Sequence, residues 1–170
     1  MERLTADSQL AAQGWLPPGS KCVAPTAWAR REGTALSSFA DIDSSGRVDS
    51  LLQYLDKTDH SMSAFKAYVV AAAKRYAPGG RILDLGCGVG HDLARLAQAG
   101  LKPVGLDISN QALLRAKDSS SAVVRAAAER LPFPDDSFDG CGIERVLQHV
   151  EEPALVVAEV LRVVGPGGLV

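Results

Sequence analysis

Two acidic residues and three glycines near the middle of the chain are spaced to hold a nucleotide-like ligand. Asp84 precedes Gly86, Gly88 and Gly90, and Asp107 follows one strand later. Glycine lets a backbone turn tightly enough for a ligand to lie against it. Placed between a strand end and a helix N-terminus, such a loop is how an open parallel sheet cradles a nucleotide at its carboxyl edge. A dinucleotide fingerprint puts its third glycine one position further on, where this chain has His91. Asp84 also sets a carboxylate where a pyrophosphate would gain nothing; it suits a cation, such as the ammonium of an amino-acid group. Asp107 can accept both ribose hydroxyls of a nucleoside, and Ile108 beside it can cover one face of an adenine. Strand-end capping and plain core packing are the competing accounts of Asp107 and Ile108.

The surrounding pattern supplies elements to position these residues. Ile82–Leu85 reads as a first strand, and Leu93, Leu96 and Ala97 line one face of the helix after the glycines. A second strand spans 103–107, and Ser109 caps a helix carrying Ala112, Leu113 and Ala116. Short strands follow at 122–124 and 138–143. Pro153 opens another helix, Gly165-Pro166-Gly167-Gly168 breaks it, and Leu169-Val170 reads as the first step of a fifth strand. This alternation predicts an α/β fold: a Rossmann-like, doubly wound parallel sheet with helices on both faces.

Upstream, Leu51, Leu52 and Leu55 share one helical face. A longer helix, capped by Ser61 or Ser63, carries Phe65, Val69, Ala72, Ala73 and Tyr76. The expected organisation is a partly mobile arm over 1–45, a helical cap over 46–78 and the ligand-binding domain over 79–170. Tyr54, Phe65 and Tyr68 are candidates to roof a substrate pocket, and core packing explains them equally well.

A net charge of -2 gives no electrostatic drive toward nucleic acid or an anionic membrane. No apolar run approaches the ~20 residues needed to cross a bilayer, and the N-terminus lacks a signal pattern. A cytoplasmic protein with no nucleic-acid partner and no membrane insertion is expected. Cys22, Cys87 and Cys141 are an odd set without metal-ligand spacing, so small apolar fillers are expected and no metal site.

Taken together, Asp84-Leu85-Gly86-Cys87-Gly88-Val89-Gly90, Gly105-Leu106-Asp107-Ile108-Ser109, the run from Ala128-Glu129-Arg130 to Phe138-Asp139, and Val146-Leu147-Gln148-His149-Val150 with Leu161 to Gly168 resemble class I S-adenosylmethionine-dependent methyltransferases. The small-molecule type that includes the ubiquinone/menaquinone-biosynthesis group is the nearest likeness, over about residues 79–170. The resemblance implies S-adenosyl-L-methionine as cofactor and a small-molecule methyl acceptor. By position it implies that Gly86, Cys87, Gly88 and Gly90 pass under the methionine part, with Asp84 near its ammonium. Asp107 would hold the ribose and Ile108 the adenine, with Ala128 and Glu129 at the adenine edge. Backbone near Ile143 and Glu144 would complete the methionine pocket. His149 is the nearby side chain of the general-base type, though packing beneath the fourth strand also accounts for it; no catalytic residue is otherwise assigned.

The chain departs from that pattern in two places. Ala127 stands where the family usually has an acid that reaches the adenine amino group, and Gly165 where it usually has a basic residue. One lost hydrogen bond of that kind costs about 0.5–1.5 kcal/mol. The family fold also continues beyond a fifth strand, so a truncated chain is expected, with its fourth strand at or near an open edge through which a homo-oligomer could form. Rival readings are a nicotinamide-dependent oxidoreductase and a non-catalytic or degenerate cofactor-binding fragment. A calcium-loop-like run, Asp41-Ile42-Asp43-Ser44-Ser45-Gly46, ends on Leu52 where a bidentate Glu is needed, which argues against calcium.

Overall fold

The computed structural model describes Asp43, residues 48–116 and residues 121–170. The expected arm over 1–45, with Cys22, lies outside the described residues except for Asp43. Two helices, α1 (Val48–Ser61) and α2 (Ser63–Tyr76), precede the sheet. Then come β1 (Arg81–Leu85), α3 (His91–Gln98), β2 (Lys102–Asp107), α4 (Asn110–Ala116), β3 (Ala122–Arg125), β4 (Phe138–Ile143), a 3-10 turn at Leu147–His149, α5 (Pro153–Val163) and β5 (Val164–Leu169).

All five strands are parallel, in the order β3-β2-β1-β4-β5. The order reverses at β1, whose neighbours are β2 on one side and β4 on the other. In a doubly wound sheet such a point opens a crevice outside the strands' carboxyl ends. Register makes that crevice specific. Leu85 pairs with Leu106 and with Ile143, so the next residues, Gly86, Asp107 and Glu144, stand side by side at the carboxyl edge of the sheet.

Alternation along β1 feeds two cores. Leu83 and Leu85 pack with Val104, Leu106, Phe138, Val156 and Val160 on the α5 side. Ile82 faces the other way, onto Ala73, Ala77, Leu96 and Leu101. A third cluster of Cys87, Leu93, Leu113 and Ala116 locks α3 to α4. Phe133 meets Phe138 edge-on at 4.9 Å, closing the long β3–β4 connection over the first core.

Three expectations change. The fifth strand starts at Val164, directly after α5, rather than at Leu169. Val164 pairs with Phe138 and Leu169 with Gly140, while the residues between them bulge out of the ladder. A bulge tolerates Pro166, which cannot donate to a ladder, and Gly167 adopts φ +79°. β5 therefore lies outside β4 and forms that edge itself. In α2, neither serine caps the helix, whose N-cap is Met62. Its inner face is Lys66 and Ala73, whereas Phe65, Val69 and Tyr76 are exposed. Ion pairs made by Lys66 turn that face inward.

Candidate functional site

The glycine loop after β1 is held from below before any ligand is considered. Gly86 and Cys87 donate backbone N–H groups to Leu106 O at 2.7 and 3.1 Å, and Gly90 N–H donates to Cys87 O at 2.9 Å. Gly88 N–H donates to Asp107 Oδ2 at 2.9 Å, while Ser109 N–H donates to Asp107 Oδ1 at 2.8 Å. Asp107 thus ties its own strand end to the loop. Burial holds this carboxyl above its usual range, against the opposing pull of its backbone N–H donors.

Glycine is required at Gly86. Its φ is +79°, and a Cβ there would come within 2.3 Å of Val146 Cγ2. Gly90, also left-handed, serves a different purpose. It caps α3 and lets that helix close on α4, where a Cβ would meet Ala116 Cβ at 3.0 Å. It does not border the cavities of about 420, 280 and 40 Å³ at the crevice, and the atoms a Cβ there would meet belong to Ala116 of α4. Cys87 is buried with its thiol pushed up by desolvation, and its sulfur packs where Gly105 lacks a side chain.

A cavity of about 420 Å³ opens at the crevice. Gly86, Gly88, Asp107, Ile108, Ala128, Glu129 and Glu144 line it, so seven of the expected residues share one wall. Ala127 is not on that wall, but its neighbours Ala126 and Ala128 are, and Glu129 brings a carboxylate beside them. Tyr54 and Leu55 of α1 close one side, whereas Phe65 and Tyr68 border a separate cavity of about 280 Å³ beneath α2. Ile143 lines that second cavity and not the first. Glu144 borders both, so it stands where the two cavities adjoin. His149 is exposed on the rim of the larger cavity, next to Gln148, and does not pack beneath β4.

Between the loop and α2 lies a recess of about 40 Å³ bordered by Asp84, Cys87, Glu144 and Lys66. Asp84 Oδ2 is shut off from solvent and has no hydrogen-bond partner, and the same holds for Glu144 Oε1. Arg145 Nε lies 3.2 Å from that Glu144 oxygen as an ion pair without hydrogen-bond geometry. Desolvation first, then the charge of Asp92, pushes the Asp84 carboxyl up to about 7, against the pull of Lys66. Two buried carboxylate oxygens that accept no hydrogen bond are costly. They fit a cationic group with several donors, the property expected of an amino-acid ammonium, so the residues present suit S-adenosylmethionine.

Sequence reasoning missed Arg145 and Val146. Arg145 holds φ +57° and donates from Nη1 to Thr58 Oγ1 at 3.0 Å, with its guanidinium over the Tyr54 ring at 5.8 Å. Nothing in a linear pattern marks an arginine that must turn left-handed to reach a helix far upstream. Asp43, from the run that only resembles a calcium loop, sits at the start of α4, accepting hydrogen bonds from Ser109 Oγ and Asn110 N–H, both at 2.7 Å. Among the described residues no cluster of three or more acidic, histidine or cysteine side chains could hold a metal, and no helix is long and apolar enough to cross a membrane.

Residues 83–170 match the methyltransferase domain family. A demethylmenaquinone methyltransferase of Clavibacter sepedonicus is 38% identical, over 73% of this chain and 54% of that protein. An uncharacterized 37.1 kDa protein in transposon TN4556 of Streptomyces fradiae is 33% identical, over 81% of this chain and 43% of that one. Among solved structures, an S-adenosylmethionine-dependent methyltransferase from Mesorhizobium loti superposes with TM-score 0.52 at 32% identity, over 59% of this chain and 48% of its own. The chain spans about half the length of the curated relatives it matches.

Proposed function

We propose that this chain, which belongs to the methyltransferase domain family, binds S-adenosylmethionine in the crevice at β1 and serves methyl transfer to a small-molecule acceptor. The observation that carries the reading is the buried, unpaired Asp84 Oδ2 beside a glycine turn that Gly86 alone can make. A nicotinamide dinucleotide would bring phosphates, which the carboxyls of Asp84 and Glu144 at that point would repel.

When bound, the cofactor supplies an activated methyl group on a sulfonium. The chain's own residues bind, orient and exclude water. Asp84 and Glu144 would meet the ammonium, Asp107 the ribose hydroxyls, and Ile108 an adenine face. Glu129 would offer a carboxylate at the adenine edge, in place of the acid absent at Ala127. Leu85, Leu106 and Val146 keep the rest of the wall apolar, which strengthens every polar contact made there. Among these side chains no base is placed against a reacting atom. His149 stands on the open rim, where it could meet an acceptor but not the methionine recess.

Calorimetric titration with S-adenosylhomocysteine and, separately, NAD tests the reading. Binding of S-adenosylhomocysteine alone is expected. Binding of NAD alone would restore the oxidoreductase reading, and binding of neither would leave a degenerate fragment.

A further inference from the structure

Among the described residues other than glycine, Asp136 and Arg145 alone hold a positive φ, at +55° and +57°. Asp136 lies in an exposed turn, and aspartate visits this region more readily than most side chains. Arginine does not, so at Arg145 the conformation is costly and persists only because the surroundings hold it. Thr58 gives no reason for that cost. Its Oγ1 accepts from Arg145 Nη1 but already donates to the carbonyls of Tyr54 and Leu55, at 3.0 and 3.2 Å. The guanidinium instead borders the part of the 420 Å³ cavity that the cofactor reading leaves over. Tyr54 and Leu55 of α1 line this part, with Gln148, His149 and Val150 from the segment after β4. Arg145 lies over the half-exposed Tyr54 ring, 5.8 Å from its centroid. Nε is 3.2 Å from Glu144 Oε1, Nη1 serves Thr58, and Nη2 donates to no described residue. A planar group that is always charged thus borders the cavity with donors unspent.

We propose that Arg145 determines specificity for the methyl acceptor, selecting a planar aromatic molecule that carries a carboxylate and lies along Tyr54. The proposal rests on the cofactor reading above. A guanidinium edge matches two carboxylate oxygens in one plane. The Tyr54 ring, Leu55 and Val150 offer apolar surface to the body of such a molecule. No other arginine or lysine competes for it on this wall. Arg95 and Lys66 are enclosed by Asp59, Asp92 and Glu144, and neither borders the cavity. The strained backbone is then the cost of holding one cation at the acceptor side of the crevice.

The test titrates naphthalene-2-carboxylate and its neutral isostere naphthalene-2-carboxamide, followed by NMR, into the whole chain saturated with S-adenosylhomocysteine. The unaltered chain should bind the carboxylate roughly 10-fold more tightly than the amide. Arg145→Met should bring that ratio to about one, and Arg145→Lys should keep only part of it, because an ammonium lacks the fork. Arg145→Gly is the second variant should the methionine one not fold. It relieves the left-handed φ as it removes the side chain, so it should melt cooperatively and still lose the preference. A carboxylate preference that survives in the Met and Gly variants, whether or not S-adenosylhomocysteine affinity falls, would overturn the assignment and leave the cofactor reading standing. Absence of any preference in the unaltered chain would do the same. Failure of S-adenosylhomocysteine itself to bind would bring down the cofactor reading, and this proposal with it.

Discussion

Arg162 and Lys66 each sit among carboxylates, yet the two clusters are completed differently. Arg162 Nε and Nη2 donate to both oxygens of Glu159 at 2.7 and 2.8 Å, and Nη1 donates to Asp135 at 2.8 Å. Its remaining donors reach Phe133 O and Leu131 O at 2.8 and 3.1 Å, while Glu159 accepts from Leu131 N–H at 2.6 Å. Arginine and acid are consumed in pinning the β3–β4 connection to α5. Around Lys66, by contrast, two buried carboxylate oxygens accept no hydrogen bond. A staple leaves nothing for a ligand, because any orphan would cost stability for no return. A binding site keeps its orphans and recovers their cost when the ligand arrives.

The largest effect expected is at the turn between these regions. Gly86→Ala forces φ +79° on a residue with a Cβ and drives it into Val146. It should cost about 2–4 kcal/mol of stability by urea unfolding and abolish S-adenosylhomocysteine binding.

Asp84→Asn sharpens the contrast. Ligand affinity should fall roughly 10–100-fold by calorimetry, while the ligand-free chain becomes more stable at pH 8. The sign follows from linkage. An unfolded aspartate ionises near pH ~3.9, whereas the folded one is pushed up to about 7. Between those values the folded chain holds the extra proton, so stability falls as pH rises toward about 7. Asn removes that slope. A cationic ligand favours the ionised form, so affinity in the unaltered chain should rise with pH and level off above about 7. Flat affinity across that window would show that Asp84 does not meet a cation.

Arg162→Met should break the staple alone. A loss of about 2 kcal/mol in unfolding free energy is expected, with the ligand dissociation constant of the folded chain unchanged. Altered affinity would mean that the two clusters are coupled. Gly90→Ala should cost about 1 kcal/mol through its left-handed φ and its contact with Ala116, again without a binding effect. His149→Gln, at the exposed rim, should shift cofactor affinity by less than about twofold.

Much of the sheet was legible because its signals are local. Leu85-Gly86 and Leu106-Asp107 mark strand ends, Ser109 caps α4 by accepting from Ala112 N–H at 3.2 Å, and β4 runs over 138–143 as expected. The expected site residues Gly86, Asp107 and Glu144 lie at or just after strand ends, where the sheet's register brings them together. The two upstream helices were read less well. α2 shows Phe65 and Val69 to solvent and buries Lys66. Hydrophobic periodicity cannot anticipate a lysine drawn inward by acids on other elements.

By itself the sequence determined the alternating strands and helices, the glycine turn and the acids on either side of it. Each depends on neighbours within a few residues: backbone freedom at glycine, apolar spacing, and capping. Only the tertiary structure decided which acid oxygens accept no hydrogen bond, that Gly90 sits against α4 while Gly86 turns beside Val146, and that a buried lysine borders the recess. Those properties depend on what a side chain meets from elsewhere in the chain, through register and burial, and neither is written in local order.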